Sequence, residues 1–404
     1  MNEALAHGAL VVVGASLAGV RCVEALRREG ATGPITLIGE ETDRPYDRPP
    51  LSKQFLAGTV GPERLWLQRA ESAMDDLGVS VRPGVSATGL DLDAGMVHTT
   101  AGEVPFDGLV VATGTSVRRL PHPADAPVFY LRTLADSVRL QEHLVPGAKV
   151  VVIGAGFIGA EVASTAHGLD CDVTIVEALP VPLERQLGPE MGAACAALHA
   201  RNGVHVRTGV GVASLQRRSV VLDDGSVIAS DAIVVGIGVT PNTQWLDGSG
   251  IFLDNGVMCD EMCRVRTVDG ASLDHVVSCG DVARWPNELF EETMRIEHWT
   301  NAVEMSTHAA ATLLGARVPF SPVPYFWSDQ YGVKIQFFGR STDFDEVRVV
   351  EGSPTAGAGL ALYRRGDRLI GVLGLQRMRA VIGLRTLLAE RASWDEALAH
   401  TAQS

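Results

Sequence analysis

The chain has 404 residues, of which 46% are hydrophobic and 20% charged, and its formal net charge is −14 at pH 7. This composition is that of a globular protein with a sizeable core, and the length allows about two to four domains. The acidic charge and the lack of a basic block argue against nucleic acid or an anionic membrane as partner. No uncharged stretch is long enough to predict a bilayer span, and Met1–Gly8 carries no secretion signal, so we expect a cytoplasmic protein.

The first pattern typical of a nucleotide-binding fold lies near the start of the chain. Leu10–Val13 is an apolar run that predicts a buried parallel strand, and Leu17–Arg28 predicts the helix that follows it. Between them Gly14 permits a tight turn, while Ser16 stands where the fingerprint has its middle glycine. A serine is small enough to keep the backbone near a pyrophosphate, so we interpret this stretch as a nucleotide site of irregular form.

An acid and a rigid loop follow this first pattern. Ile35–Ile38 predicts the next strand, and Glu40, the first acid after it, is preferred over Glu41 as the group that binds a ribose. The prolines of Asp43–Lys53 fix a loop that we expect to begin a short helix at its proline pair. An isolated lysine is usually a solvated surface charge, but Lys53 follows a nucleotide-binding pattern on a rigid backbone and is therefore a candidate for holding a cofactor.

The second pattern is the complete dinucleotide-binding fingerprint. Val150–Ile153 predicts a buried strand that ends at a glycine turn, after which come a helix and a further strand. Gly154 permits the turn, Gly156 lets the backbone approach a pyrophosphate, and Gly159 brings helix and strand close together. Glu177 ends the further strand, where a carboxylate reaches a ribose hydroxyl.

Two such patterns in one chain indicate two nucleotides held face to face, as in a flavin enzyme that a nicotinamide reduces. The predicted fold is α/β, with two Rossmann-like dinucleotide-binding domains, the NAD domain inserted in the FAD domain, and a C-terminal α+β domain. The predicted domains are 1–117 with 243–320 for FAD, 118–242 for NAD, and 321–404 for the C-terminal interface domain. Further strands are predicted at Val79–Arg82, Met96–Thr99, Phe106–Gly114, Val173–Val176, Gly203–Arg207, Ser219–Leu222, Ala232–Gly236, Asp274–Val282, Tyr325–Trp327, Lys334–Phe338, Glu346–Val350 and Leu360–Tyr363, and further helices at Ala160–Ala166, Arg295–Leu314 and Met378–Leu398.

The six cysteines lack CxxC spacing and predict no metal site. Cys22 and Cys195 fall among small apolar residues of helix-like stretches, where we expect buried thiols. Cys259 and Cys263 form the one close pair, and we favour a structural role for them over a redox or metal-binding role.

Six motifs in order make the chain resemble a known family. It is similar to the FAD-dependent, NADH-linked ferredoxin reductases that serve cytochrome P450s and ring-hydroxylating dioxygenases, the putidaredoxin reductase type, with a glutathione-reductase-like fold. The likeness extends over nearly the whole length. The motifs are Arg44–Lys53 (RPYDRPPLSK), Val111–Thr115 (VATGT), Gly236–Asn242 (GIGVTPN), Gly280–Ala283 (GDVA), Arg295–Glu304 (RIEHWTNAVE) and Phe326–Tyr331 (FWSDQY).

The resemblance implies bound FAD, and NADH as the exchanging nucleotide. In it Asp281, expected at the end of a strand, accepts hydrogen bonds from the ribityl chain. Trp299 is expected at the start of a helix whose dipole favours negative charge on the flavin, although core packing alone also explains a tryptophan there. The implied FAD contacts are Gly14, Ala18, Gly19, Glu40, Arg48, Lys53, Ala87, Thr113, Gly114, Arg132, Gly280, Asp281 and Trp299, and the NADH contacts are Gly154, Gly156, Phe157, Ile158, Gly159, Glu177 and Gly238.

The resemblance also implies a catalytic pair, Lys53 and Glu161, near N5 of the flavin. A buried lysine and a buried glutamate need one another because either ion alone is costly to desolvate. In this role the pair holds flavin and nicotinamide in register and does no acid–base chemistry. Related disulfide reductases carry two cysteines on the segment matching Pro49–Lys53, which holds none here, so dithiol exchange is not expected.

Electrons are then expected to pass from NADH through FAD to a [2Fe–2S] ferredoxin. We expect Trp327 to lie at the exit and Arg377, Arg379 and Arg385 to form a basic docking patch, although packing and a solvated helix face are the plain alternatives. The chain is expected to be a monomer or a weak homodimer. Two other functions stay open: an NADH oxidase-like flavoenzyme, and a redox-sensing interaction protein resembling apoptosis-inducing factor.

Overall fold

The computed structural model describes residues 2–67 and 73–403. The chain forms two compact units, each assembled from three separate stretches. The first unit comprises Met1–Asp47, Leu65–Ser116 and Thr240–Pro324, and the second comprises Arg48–Arg64, Val117–Val239 and Tyr325–Ser404. The predicted division into FAD, NAD and C-terminal domains stays a prediction.

The helices are spread over both units. They are α1 Glu3–His7, α2 Leu17–Arg28, α3 Ala73–Asp76, α4 Leu134–Gln141, α5 Phe157–Gly168, α6 Glu184–Arg201, α7 Trp299–Leu313, α8 Met378–Ala389 and α9 Trp394–Gln403, with 3₁₀ turns at Pro49–Ser52, Pro62–Arg64, Gln244–Leu246, Gly280–Val282 and Pro354–Ala356. Within the described ranges, no helix is both long enough and apolar enough to cross a bilayer.

The strands are short. In the first part of the chain they are β1 Leu10–Val13, β2 Ile35–Gly39, β3 Val79–Pro83, β4 Ala87–Asp91, β5 Met96–Thr99, β6 Gly102–Pro105, β7 Gly108–Val111, β8 Thr115–Val117, β9 Val128–Phe129, β10 Lys149–Ile153, β11 Asp172–Glu177, β12 His205–Thr208, β13 Val212–Leu215 and β14 Ser219–Leu222. They continue as β15 Val227–Ala229, β16 Ala232–Val235, β17 Val239–Pro241, β18 Val257–Met258, β19 Arg264–Arg266, β20 Ser272–Ser278, β21 Ala283–Asn287, β22 Glu292–Met294, β23 Tyr325–Gln330, β24 Val333–Gly339, β25 Glu346–Ser353, β26 Ala358–Arg365 and β27 Arg368–Leu375.

The first unit is built on a sheet of order β19-β20-β7-β1-β2-β3. Its central strand β1 pairs in parallel with both β2 and β7 and is buried along its length. The predicted strand Leu10–Val13 and the predicted helix Leu17–Arg28 are confirmed with their bounds. The predicted strand Asp274–Val282 is wrong at its end, because β20 stops at Ser278 and the chain then turns.

The second unit repeats the arrangement with a sheet of order β12-β11-β10-β16-β9. Strand β10 lies at its centre and pairs in parallel with β11 and β16. Its apolar residues Val150–Ile153 are buried, as the continuous hydrophobic run predicts. The glycine turn therefore leaves the sheet between two neighbouring strands, where doubly wound sheets bind their ligands.

The C-terminal part of the second unit is an antiparallel sheet of order β23-β24-β27-β26-β25, followed by α8 and α9. The predicted β-like runs from Tyr325 to Tyr363 are confirmed as strands, although β27 was not predicted. The single helix predicted at Met378–Leu398 is wrong. The helical conformation is interrupted at Arg391, which has a φ of 58°. Ser393 then caps the N-terminus of α9 by exchanging hydrogen bonds with Glu396.

The antiparallel sheet and α6 share one hydrophobic core. Apolar side chains of the helix meet those of the inner strands, with Tyr363 fully buried between them. The Tyr363 hydroxyl donates to the Leu187 carbonyl oxygen at 2.8 Å, which satisfies its one buried polar atom. The C-terminal strands are therefore part of the same packed body as the fingerprint turn of the second unit.

Candidate functional site

The glycine turn of the first unit is sterically closed. A Cβ on Gly14, whose φ is 117°, would lie 2.1 Å from the Ala112 carbonyl oxygen, and one on Gly19 would lie 1.8 Å from the Gly14 carbonyl oxygen. A third segment closes the turn, because a Cβ on Gly280 would lie 2.9 Å from that of Ala18. Helix α2 starts here and presents backbone N–H groups with no partner inside the helix, so the turn fits a dinucleotide pyrophosphate.

The other predicted FAD residues of this unit lie at or next to the ends of strands and helices. Glu40 is exposed after β2, and Ala87 begins β4. Trp299 is the first residue of α7, so it lies at the start of a helix as predicted, although the helix begins four residues later than the predicted stretch Arg295–Leu314. Its indole N–H donates to Asp47 Oδ1 at 2.6 Å. Asp281 does not end a strand. It lies on the 3₁₀ turn Gly280–Val282, because Gly280 adopts a φ of 74° and ends the extended backbone.

A network around Asn242 fixes the loop after β7. Its side-chain amide donates to the Thr113 carbonyl oxygen at 2.9 Å, its backbone N–H donates to Gly114, and its own carbonyl accepts from Thr113 Oγ1 at 2.8 Å. Gly114 has a φ of 65°, so the loop turns sharply at this point. Asn242 closes the GIGVTPN motif, yet the sequence alone did not single it out as a positioning residue.

The glycine turn of the second unit combines tight packing with open space. A Cβ on Gly154 would lie 2.3 Å from the Gly236 carbonyl oxygen, and one on Gly159 would lie 2.1 Å from that of Gly154. A Cβ on Gly156 or on Gly238 would meet no atom within 4 Å among the described residues. The first two glycines thus shape the turn, while the other two border room for a ligand, which fits the predicted pyrophosphate.

The predicted ribose carboxylate is held by the turn itself. Glu177 accepts hydrogen bonds from the backbone N–H groups of Ala155 at 2.7 Å and Leu179 at 2.9 Å. Both bonds orient the carboxylate, and each oxygen retains a further lone pair for a hydroxyl donor. Phe157 packs on Phe326 with ring centroids 4.5 Å apart, so part of the Phe157 ring is covered by that side chain. The side chain of Ile158 is 50% exposed.

The predicted pair of Lys53 and Glu161 is a buried ion pair. Lys53 Nζ lies 2.6 Å from Glu161 Oε2, and the side chains are only 12% and 3% exposed. Two serines complete the carboxylate environment, Ser52 Oγ donating to Oε2 at 2.6 Å and Ser328 Oγ donating to Oε1 at 2.7 Å. Neither serine was predicted, because hydroxyl residues carry little signal and Ser328 lies 167 positions from Glu161.

Arg48 and Arg132, both predicted to contact FAD, lie together in the second unit. The Arg48 guanidinium donates to the Arg132 carbonyl oxygen, and the Arg132 backbone N–H donates to Asp136, which caps α4. The segment that carries Lys53 is thereby tied to the start of α4. A pocket of about 250 Å³ adjoins this segment and is lined by Lys53, Ser164 and Tyr331 among others.

The predicted exit region lies on the antiparallel sheet and α8. Trp327 is half-buried on β23 and stacks on Tyr325, with centroids 6.0 Å apart. Arg379 is exposed, whereas Arg377 is paired with Glu351 at 2.6 Å and Arg385 lies over Phe338. The predicted cluster is therefore uneven, because part of its charge is neutralised.

All six cysteines are free and buried, which confirms the expectation for Cys22 and Cys195. Burial raises the pKa of the Cys195 thiol to about 12 and also raises those of Cys259 and Cys263. Such thiols are poor nucleophiles at neutral pH. No group of three or more histidine, cysteine or acidic residues is arranged to hold a metal ion within the described ranges.

Comparison with known proteins places this geometry among flavoprotein reductases. The family model described as pyridine nucleotide-disulphide oxidoreductase matches residues 8–306, and one described as reductase C-terminal matches 325–403. Rhodocoxin reductase of Rhodococcus erythropolis is 37% identical over 388 residues, covering 94% of this chain and 89% of the relative. The ferredoxin–NAD(+) reductase component of an anthranilate 1,2-dioxygenase system of Burkholderia cepacia is 36% identical over 397 residues, covering 95% of each.

A solved structure extends the similarity to three dimensions. The chain matches the reductase of the covalent putidaredoxin reductase–putidaredoxin complex with a TM-score of 0.91 and 31% identity, over 98% of both chains. The α/β fold with its C-terminal domain is therefore that of the protein in this complex, as the sequence motifs predicted.

Proposed function

Since the chain belongs to the pyridine nucleotide-disulphide oxidoreductase family, we propose that it is an FAD-dependent reductase that passes electrons from NADH to a [2Fe–2S] ferredoxin. The ferredoxin then supplies a cytochrome P450 or a ring-hydroxylating dioxygenase. Support comes from a relative that is named as the reductase component of a dioxygenase system and from a solved reductase joined to putidaredoxin. Both align with nearly the whole chain, including the C-terminal segment.

The observation that carries the proposal is the pair of glycine turns, each on its own parallel sheet. The turn at Gly14 is enclosed by Ala112 and Gly280, which suits a dinucleotide that stays bound. The turn at Gly154 has open space beside Gly156 and Gly238, which suits one that exchanges. FAD in the first and NADH in the second fit these two environments.

When bound, FAD accepts a hydride and releases two electrons singly, which couples a two-electron donor to a one-electron acceptor. The chain supplies binding and orientation. Gly14, Ala18 and Gly19 hold the pyrophosphate, and the N-terminus of α7 at Trp299 stabilises negative charge on the flavin. Lys53 and Glu161 hold the reacting rings in register, and the carboxylate of Glu177 favours a ribose hydroxyl over a phosphate.

Electrons leave through the C-terminal segment in this proposal. Trp327 would carry electrons from the flavin to the docked ferredoxin, and Arg379 with its neighbours would attract an acidic partner. The family match to a separate reductase C-terminal model over 325–403 supports a distinct role for this segment. The predicted domain division, with 321–404 as the interface domain, belongs to the same proposal, as does a monomeric or weakly dimeric state.

Steady-state assays with three electron acceptors test the proposal. The protein, loaded with FAD, is given NADH and either a [2Fe–2S] ferredoxin, ferricyanide or oxygen alone. We expect rapid reduction of ferredoxin and ferricyanide and slow consumption of oxygen. Fast oxygen consumption that ferredoxin does not change would favour an NADH oxidase instead. Negligible turnover with all acceptors, together with an NADH-dependent change in oligomer size, would favour a redox-sensing interaction protein.

A further inference from the structure

Strand β23 lies along one face of α5, the helix that follows the second glycine turn. Phe326 packs on Phe157 with centroids 4.5 Å apart, and two residues further along the strand Ser328 donates to Glu161 at 2.7 Å. Phe157 and Glu161 are four residues apart and share a helix face, while Phe326 and Ser328 share a strand face. The two contacts therefore set one register between strand and helix.

A third contact continues the same register. The backbone N–H of Tyr331, just beyond the strand, donates to Ser164 Oγ at 2.7 Å, one helical turn past Glu161. Trp327 alternates with these residues and stacks on Tyr325 on the other face of the strand. The strand thus presents Ser328 to the buried ion pair and Trp327 to the opposite side.

The carboxylate of Glu161 depends on Ser328 for one of its two oxygens. Oε2 accepts from Ser52 and Lys53, whereas Ser328 is the one donor to Oε1 among the described residues. Ser328 is fully buried, and its own hydroxyl oxygen accepts from Gln330 Nε2 at 3.1 Å. A buried carboxylate needs donors on both oxygens, since leaving one unsatisfied costs free energy and frees the group to rotate.

We infer that Ser328 is a positioning residue for the reduction of the flavin. This inference rests on the proposed function, in which Lys53 and Glu161 hold flavin and nicotinamide in register. The Ser328 hydroxyl fixes the plane of the Glu161 carboxylate, so that its other oxygen points at Lys53. The segment that the proposal assigns to electron exit thereby also completes the ion pair on the electron-entry side.

Replacing Ser328 with alanine isolates this effect. The substitution removes the donor to Oε1 and leaves both glycine turns untouched, so the dissociation constant of NADH should not change. A hydrogen bond to a charged group is typically worth enough to alter a rate roughly tenfold. We therefore expect hydride transfer to slow by roughly tenfold at saturating NADH.

The experiment is anaerobic stopped-flow reduction of the FAD-loaded protein over a range of NADH concentrations, which separates affinity from rate. The variants are Ser328→Ala, Ser328→Cys, which keeps the volume but donates weakly, and Glu161→Gln alone and with Ser328→Ala. Ser306→Ala is the matched control, because Ser306 is equally buried but donates to the Val303 carbonyl within its own helix. FAD content and melting temperature show whether each variant is folded.

We expect Ser328→Ala to be slow, Ser328→Cys to be intermediate and Ser306→Ala to match the wild type. In the Glu161→Gln background, Ser328→Ala should add little, because Ser328 acts through the carboxylate. A wild-type rate in Ser328→Ala, or fully additive effects in the double variant, would overturn the inference. If alanine prevents folding, a wild-type rate in Ser328→Cys has the same consequence. Failure of NADH to reduce the wild-type flavin would instead overturn the proposed function.

Discussion

Arg21 and Glu161 occupy equivalent positions in the two nucleotide folds, each seven residues after the first glycine of its turn (14 to 21 and 154 to 161). Arg21 pairs with Glu24 on its own helix at 2.8 Å, with side chains 30% and 26% exposed. Glu161 pairs with Lys53 at 2.6 Å, with side chains 3% and 12% exposed. The equivalent position therefore carries a partly exposed local pair in one unit and a buried long-range pair in the other.

The difference separates charged pairs that the fold requires from charged pairs that it does not require. A partly exposed pair one helical turn apart contributes little, typically below about 1 kcal/mol. A buried pair must overcome desolvation and often stabilises no more than apolar residues of the same volume. Since the first unit forms the same turn and helix without such a pair, the fold alone does not require Lys53 and Glu161, and this is why we propose a functional role for them.

The largest effect is expected from Lys53→Met, which keeps the side-chain volume and leaves the buried charge of Glu161 without its cationic partner. Removing one partner of a buried pair typically costs about 3–5 kcal/mol of stability, which the neighbouring serines reduce by still donating to the carboxylate. We expect hydride transfer, followed as bleaching of the flavin band, to slow by about a hundredfold or less while FAD content falls modestly.

Arg21→Met is the matched control in the first unit. It should change the melting temperature and the reduction rate very little, because a partly exposed pair one helical turn apart contributes little to stability. Equal effects of the two substitutions, or an unchanged reduction rate in Lys53→Met with normal FAD, would erase the contrast between the units.

Gly156→Ser sharpens the comparison by giving the second turn the residue that the first has at Ser16. A Cβ at position 156 would meet no described atom within 4 Å, so we expect the melting temperature to stay unchanged. It enters the room where we place the pyrophosphate, so the dissociation constant of NADH should rise about tenfold. An unchanged affinity for NADH would show that the nucleotide does not bind next to Gly156.

The strands and helices that carry this contrast could largely be predicted from the sequence, because the patterns that specify them are local. The run Leu10–Val13 and the helix Leu17–Arg28 have the predicted bounds, since apolar periodicity and a glycine turn act over a few residues. The apolar run around Cys279 misled the prediction for Asp281, because one left-handed glycine at position 280 ends the strand inside it.

The support of the buried pair was not visible in the same way. Ser328 and Glu161 lie 167 positions apart, and no periodicity links a strand in the C-terminal segment to a helix after the second glycine turn. The boundary between α8 and α9 was also not predicted. It is marked by the left-handed backbone conformation of Arg391, which arginine rarely adopts and which the sequence therefore does not indicate.

Trp327→Ala tests the proposed electron exit, which lies on the same strand as Ser328. We expect reduction of ferredoxin to slow about tenfold while reduction of ferricyanide and hydride transfer change little, because a small oxidant needs no docked path. Equal slowing with ferredoxin and ferricyanide would make Trp327 a packing residue.

Glu177→Ser compares the two acids that follow the turns, since Glu177 is held by backbone N–H groups whereas Glu40 is exposed. The wild type should show a higher kcat/KM for NADH than for NADPH, and the variant should narrow that preference several-fold, because a carboxylate repels a 2′-phosphate. Arg185 is close enough in sequence to soften the repulsion and keep the preference incomplete. Equal kcat/KM values for both nucleotides in the wild type would contradict the assignment.

The smallest effect is expected from charge reversal on α8. Arg379→Glu should raise the KM for ferredoxin roughly threefold and flatten its dependence on salt, because steering between opposite charges weakens with ionic strength. Arg377→Glu should do less, since Arg377 already pairs with Glu351. An unchanged salt dependence in both variants would place the docking surface elsewhere.

The central claim is that one chain converts the hydride of NADH into two single electrons for a ferredoxin. An anaerobic titration measures this directly, with FAD-loaded protein in catalytic amount, excess [2Fe–2S] ferredoxin, and NADH added in small steps while the ferredoxin absorbance is read. Each NADH should reduce two ferredoxin molecules, with the flavin oxidised again at the end of every step. Consumption of NADH without loss of the oxidised ferredoxin signal would contradict the account.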